Sequence, residues 1–313
     1  MIAKGIKELC AEAEQEIESL SVDQVLALQD DPDVVLVDIV EGFAAGKALD
    51  LNQGLTLGGH SPSMIGADGY DETAGSDICV ITSGFPRQPG MSRDDLLLKN
   101  KAIVEEVTAD LVNRSPDCTL IILTNPMDAM AQLAQSVSGF PRSRVIGQGG
   151  LLDTARYRAF ISWELDVSPE DVSGFVLGGH GDTMVPVPSF TSVAGVPVNE
   201  LIDTERMEAI IKRTAGGGGE IVGLLKKGSA FEAPGEAVAM MCDAILMDRK
   251  RLFPCAVMLE GEYGIRDTFV GVLVKLGAGG MEEVLELDLS ESELAGLRSS
   301  ADSVRELIDV MGI

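Results

Sequence analysis

The sequence predicts an α/β protein in two parts, a doubly wound parallel sheet followed by an α+β region. Three observations carry this. Apolar, β-branched runs at residues 34–38, 78–82, 120–123 and 145–147 alternate with helix-patterned stretches. A continuous apolar run, as opposed to an alternating one, suits a strand covered on both faces. Loops rich in Gly, Pro and Asn follow these runs, at the carboxyl ends where open α/β sheets bind their ligands. Past Gly149 the regular alternation stops and longer, mixed elements begin.

Residues 2–19 set Ile2, Ile6, Leu9 and Ala13 at helical spacing among charged side chains. Ser21-Val22-Asp23-Gln24 has the form of a capping box opening a second short helix. Asp31-Pro32-Asp33 then turns the chain into the strand at 34–38. No Gly-x-Gly-x-x-Gly turn stands between residues 1 and 33, although such a turn is how this kind of sheet presents backbone N–H groups to a pyrophosphate. The sheet therefore reads as lacking its first strand and glycine loop.

A helix is expected over 40–51, and a glycine-rich polar loop over 53–76 with a short strand at 63–66. His60 lies in that loop and is assigned no role. A helix over 96–113 separates the second and third clear strands. Beyond Gly149 the expectation is a helix over 151–165, a strand ending at 177 and a hairpin-like 184–190. Helical stretches follow at 198–214, 221–227 and 236–250, then strands near 256–260 and 270–276. An amphipathic helix over 290–311 closes the order. Three glycine clusters invite other readings. Residues 42–47 fall one residue short of a P-loop, with Ala48 where Ser or Thr would bind magnesium. Residues 277–282 follow a strand and read as opening a helix. Gly216 to Gly219 reads as close packing or a flexible joint.

Composition narrows the function. Lys plus Arg number 24 against 50 Asp plus Glu, a formal net charge of −26, which argues against nucleic acid or an anionic membrane as partner. Both a salt-adapted source and an ordinary solvated acidic surface fit that charge. No run of 18 or more uncharged apolar residues is present, so no transmembrane helix is expected, and residues 1–8 lack the apolar core of a signal peptide. Five cysteines in no C-x-x-C or zinc spacing read as reduced core residues of a cytoplasmic protein.

Candidate chemistry centres on Leu177-Gly178-Gly179-His180-Gly181-Asp182, which holds one of only two histidines. A histidine can take and give a proton near neutrality, and the glycines leave the imidazole unshielded. An incidental histidine in a glycine turn is the bland alternative. Asp153 and Arg156 sit at i and i+3 of the expected helix, neighbours on one face. There a carboxylate can orient an imidazole, and an arginine can hold a substrate carboxylate through two bonds. A surface ion pair is the commoner fate of that spacing. Arg87 and Arg93 share the loop at 83–95, and arginines at such positions are informative in so acidic a chain.

Together the segments 34–38, 83–95, Thr124-Asn125-Pro126-Met127-Asp128, 152–156 and 178–182 resemble the lactate/malate dehydrogenase superfamily, and within it the lactate-dehydrogenase-like malate dehydrogenases, over residues 34–313. Residues 1–33 weakly resemble the opening of a rhodanese-like domain. The dehydrogenase resemblance implies an incomplete Rossmann-like NAD-binding domain at 34–148 and a substrate domain at 149–313, with residues 1–33 an atypical helical segment. It implies reversible NAD-dependent oxidation of (S)-malate to oxaloacetate. His180 would be the acid/base and Asp153 its orienting partner. Arg156 would clamp the C1 carboxylate and Arg93 polarise the carbonyl. Arg87 would read the second carboxylate, and Asn125 would bond near the substrate oxygen and the nicotinamide. Asp38 would bind the adenosine ribose, favouring NAD over NADP, with Gly84 beside the cofactor. No metal is implied. The superfamily forms homodimers and homotetramers. An alternative stays open: a chimeric or truncated homologue with impaired dinucleotide binding, non-catalytic or only dicarboxylate-binding.

Overall fold

The computed structural model of the chain describes residues 34–59, 64–85, 93–226 and 228–313. The first half is built on short parallel strands. β1 (Val34–Val37) pairs in parallel with β2 (Met64–Ala67), across α1 (Phe43–Leu57). β3 (Ile78–Ile81), β4 (Thr119–Ile122) and β5 (Val145–Gly147) form a second parallel set, joined by α2 (Arg93–Arg114) and α3 (Met127–Ser138).

Every residue of β3 and β4 is buried, and the period of two explains how. Ile78, Val80 and Ile121 enter one hydrophobic core, while Cys79, Ile81, Leu120 and Ile122 enter the other. Helices cover both faces, so these side chains are apolar, with Thr119 at the start of β4 the one buried polar residue of the two strands. β1 continues this layer, sending Val34 to the first core and Val35 and Val37 to the second. Among the described residues, however, no ladder joins β1 to β3. In the doubly wound order 3-2-1-4-5-6, the place between them belongs to the first strand. The helices expected within residues 1–33, and His60, lie outside the described residues.

The second half runs through α4 (Gly150–Leu165), β6 (Val172–Ser173), β7 (Val176–Gly178) and β8 (Met184–Pro186). β9 (Ser192–Val193) and β10 (Val196–Pro197) complete a small sheet with β6. Then come α5 (Thr204–Leu225), α6 (Glu232–Leu246), β11 (Arg251–Glu260), β12 (Arg266–Gly277), β13 (Gly280–Val284) and α7 (Glu291–Met311). β11 and β12 form a long hairpin that joins the halves: β11 pairs antiparallel with β5, and β12 with β7. The main sheet is therefore mixed, in the order β3-β4-β5-β11-β12-β7-β8 with β13 beside β12.

One glycine reading is corrected, and one is narrowed to close packing. Residues 277–282 open a strand, not a helix: Gly280 takes φ +80° in a tight hairpin, and a Cβ there would collide with the Ser143 carbonyl. Gly216 to Gly219 is no joint, because α5 runs unbroken through it to Leu225 and absorbs the stretch expected as a separate helix at 221–227. Its buried residues Met207, Ile210, Thr214 and Gly217 recur at helical spacing. That packed stripe outweighs the poor propensity of glycine. The closing helix begins one residue later than expected because Ser290 is its N-cap, in a capping box with Glu293.

Candidate active site

The β7–β8 connection carries His180. Gly178 ends β7 at φ +78° and pairs with Met184, and Gly181 takes φ +126°, conformations that side chains rarely adopt. α4 begins beside this turn because Gly149, its N-cap, lacks a side chain. A Cβ there would sit 2.8 Å from His180 Cβ and 2.6 Å from Met127 Cε. The close approach brings Asp153, in the first turn of α4, against the imidazole.

Asp153 is 1% exposed, and its two oxygens are divided between two partners. Oδ2 lies 2.7 Å from His180 Nδ1, and Oδ1 accepts a bond of 3.0 Å from Arg156 Nη1. The Arg156 and His180 side chains are 13% and 15% exposed. The imidazole is thus largely enclosed, contrary to the expectation of an unshielded ring. Burial pushes the His180 pKa down, but the Asp153 carboxylate pushes it up by charge and hydrogen bond. The Asp128 charge also pushes it up, and Arg156 opposes. The net effect holds it above its ordinary value.

Asp128, in the first turn of α3, had drawn no role from the sequence. Its Oδ2 accepts the His180 backbone N–H at 2.9 Å. Burial pushes its pKa up to about 6, against the pull of that N–H bond. A second unnoticed group is Ser300 of α7, whose Oγ accepts the Gly179 N–H at 2.5 Å. Neither contact leaves a local sequence signal, since the partners are 52 and 121 positions apart.

The carboxyl ends of β3 and β4 are tied together nearby. Asn100 of α2 accepts the Phe85 N–H at 2.5 Å and donates to the Asn125 carbonyl at 2.6 Å. Asn125 precedes Pro126 through a cis peptide bond. Gly84 packs so closely that a Cβ would lie 2.6 Å from Thr124 Cγ2. Asp38 ends β1, where it is buried and its Oδ1 accepts the Val40 N–H at 2.8 Å. Burial raises its pKa, backbone N–H groups of Val40 and Ile39 lower it, and the Asp68 charge adds to the rise, for a net increase. Arg87 and the Arg93 side chain lie outside the described residues; the Arg93 backbone opens α2. Among the described residues, no cluster of His, Cys, Asp and Glu could hold a metal. The structure thus unites His180, Asp153 and Arg156, and sets Asp38, Gly84 and Asn125 at strand ends.

The family model described as the lactate/malate dehydrogenase NAD binding domain matches residues 18–147, and that of the alpha/beta C-terminal domain matches residues 151–311. The first match begins inside the stretch 1–33, so the family likeness reaches further upstream than residue 34. The malate dehydrogenase of Thermomicrobium roseum is 52% identical over 288 residues, covering 92% of this chain and 93% of that one. The crystal structure of malate dehydrogenase from Salinibacter ruber superposes with a TM-score of 0.89 at 46% identity, covering 100% of this chain and 98% of that one. Lactate dehydrogenase of Cryptosporidium parvum, solved with lactic acid and the nicotinamide dinucleotide, gives a TM-score of 0.90 at 34% identity, covering 99% and 97%. Two family models spanning nearly the whole chain, and relatives at this identity, lead to one conclusion: the chain belongs to the lactate/malate dehydrogenase family.

Proposed function

We propose that this protein is an NAD-dependent malate dehydrogenase interconverting (S)-malate and oxaloacetate, with residues 34–148 serving the cofactor and 149–313 the substrate. The observation that carries the mechanism is the Asp153 carboxylate shared between His180 and Arg156. With Nδ1 engaged by Asp153, Nε2 is the nitrogen left to exchange a proton with substrate. In malate oxidation neutral His180 takes the C2 hydroxyl proton at Nε2, and Asp153 supports the resulting imidazolium. In oxaloacetate reduction the protonated ring returns it to the forming alkoxide. Arg156 holds the C1 carboxylate, Arg93 polarises the carbonyl oxygen, and Arg87 reads the second carboxylate.

The described residues fit the two ends of NAD. Asp38 offers a buried carboxylate at a strand end, the chemistry that accepts ribose hydroxyls. Gly84 and Asn125 stand at the ends of β3 and β4, where only a residue without a side chain fits beside Thr124. When bound, NAD supplies the hydride acceptor at its nicotinamide. A second reading, a homologue with impaired dinucleotide binding, rests on the lack of a Gly-x-Gly-x-x-Gly turn in residues 1–33 of the sequence. We take the working unit to be a homodimer or homotetramer in the cytoplasm. Among the described residues, no helix is long and apolar enough to cross a membrane.

The test is oxaloacetate-dependent loss of NADH absorbance by purified protein, with pyruvate as the competing substrate. Turnover of oxaloacetate over pyruvate supports the proposal. NADH binding without turnover, or no NADH binding, refutes it, and the latter favours the second reading.

A further inference from the structure

We propose that Ser300, on the closing helix α7, is a positioning residue for proton transfer: it anchors the backbone from which His180 projects. This rests on the reading of His180 as acid/base.

A turn containing Gly178, Gly179 and Gly181 has wide conformational freedom, yet proton transfer needs the imidazole fixed to within a fraction of an ångström. Its internal backbone bonding is slight: Met184 N–H donates to the Gly181 carbonyl at 3.2 Å. The consecutive N–H groups of Gly179 and His180 are instead anchored outside the turn. Ser300 Oγ accepts the first and Asp128 Oδ2 the second. Ser300 Oγ also donates to Thr183 Oγ1 at 3.3 Å, which joins the far side of the turn to the same hydroxyl. No slack remains beneath Gly179, where a Cβ would meet Thr183 Oγ1 at 2.5 Å and Ser300 Oγ at 3.0 Å. Ser300 itself is 1% exposed.

The helix that supplies this hydroxyl is firmly held. Leu297 and Ala301 of α7 lie in one core, and Val304, Ile308 and Met311 in the other. At its start, Glu293 takes the Ser189 hydroxyl at 2.7 and 2.8 Å and the Ser189 N–H at 3.2 Å, just past β8. The β7–β8 hairpin is therefore fastened to α7 at two points, and the Ser300 point lies next to His180. Among the described residues, the charged groups that act on the imidazole are Asp153 and Arg156 from α4 and Asp128 from α3, while Asp182 of the turn is exposed. Ser300 adds no charge, so its removal reports on position alone.

The experiment compares wild type with Ser300→Ala, Ser300→Thr and Ser303→Ala, a half-buried serine on the same helix. Readouts are kcat and KM in both directions, the pH midpoint of oxaloacetate reduction, NADH affinity by fluorescence titration and Tm. Misplacing a reacting group by about an ångström costs up to roughly a hundredfold, so Ser300→Ala should lower kcat by about ten- to a hundredfold. Its pH midpoint should fall toward that of free histidine as the Asp153 bond loosens, with NADH affinity within about twofold of wild type. Ser300→Thr, which keeps the oxygen, should restore most of kcat, and Ser303→Ala should match wild type. If Ser300→Ala does not fold, Ser300→Cys keeps the shape of the side chain with a slightly larger, weaker acceptor and should show the same changes. An unchanged kcat and midpoint in the Ala or Cys variant would overturn the proposal. So would a loss of kcat in strict parallel with NADH affinity and Tm. Full activity in His180→Asn would instead overturn the underlying acid/base reading, whatever Ser300 does.

Discussion

Replacing Asp153 by Asn isolates the charge at the centre of the site. The side chain keeps its size, and an amide oxygen can still face His180 Nδ1, now at 2.7 Å from Asp153 Oδ2. What disappears is the anion that stabilises the imidazolium. Two unit charges about 4 Å apart at an effective dielectric near 20 attract by about 4 kcal/mol. The amide oxygen of the variant keeps part of this as a hydrogen-bond acceptor, while burial and the Arg156 charge act alike in both proteins. A net loss of about 2–3 kcal/mol corresponds to roughly 30- to 150-fold in the protonation equilibrium. The sign follows from the causes. In the wild type the His180 pKa is raised, so the protonated donor for oxaloacetate reduction persists above the ordinary histidine value and is lost as pH rises through the folded pKa. Its contribution to stability is fully present below the unfolded value near 6.5 and disappears over that same window. In Asp153→Asn the largest upward causes are gone while burial still acts downward, so the midpoint should drop below about 6.5. The assay is kcat/KM for oxaloacetate reduction against pH, with malate oxidation as the mirror profile. A variant with the wild-type midpoint would refute the assignment of Asp153 as the partner of the imidazolium.

Three further outcomes follow from other parts of the chain. Arg87→Gln should cut oxaloacetate turnover by about 2–5 kcal/mol of lost charged pairing while pyruvate turnover falls far less or rises; equal losses in parallel assays would make Arg87 structural. Gly216→Ala and Gly219→Ala should each raise stability by about 0.5–1 kcal/mol in thermal melts, since no described atom lies within 4 Å of a Cβ at either position. Gly217→Ala should not, because its Cβ would meet Arg156 Cδ at 2.9 Å. Exchanging residues 1–33 for a strand–GxGxxG–helix unit should tighten NADH binding at least roughly tenfold, about 1.4 kcal/mol; equal affinities by fluorescence titration would show that the natural segment already serves the phosphates.

The parts of the site legible in the sequence are those encoded locally. Asp153 and Arg156 share a helix face through their spacing alone, and their 3.0 Å pairing is what that spacing allows. The strands at 78–81 and 119–122 declare themselves because burial on both faces selects apolar residues at all their positions but Thr119. Asp128 and Ser300 were invisible for the opposite reason. Each bonds a backbone N–H far away in sequence, and a backbone N–H is the same at every non-proline residue. Glycine runs misled because the residue serves both turns and close helix contacts. Only the packing of α5 and the hairpin of β12 with β13 decides between them. The mixed character of the main sheet was hidden too, since an apolar strand reads alike whether its neighbour runs parallel or antiparallel.

The division of one carboxylate between His180 and Arg156 constrains how this enzyme can change. A replacement for Arg156 would release one oxygen of Asp153 and so alter the basicity of the histidine. A shift in the histidine would in turn alter how firmly the arginine is held. Substitutions at the two ends should therefore be non-additive, coupled through the shared group. On the proposed assignment of Arg156 to the C1 carboxylate, adapting the chain to a new 2-hydroxy acid by altering that contact is also a change in its working pH. Altering the far end of the substrate leaves that coupling untouched, and this makes the far end the freer route to new specificity.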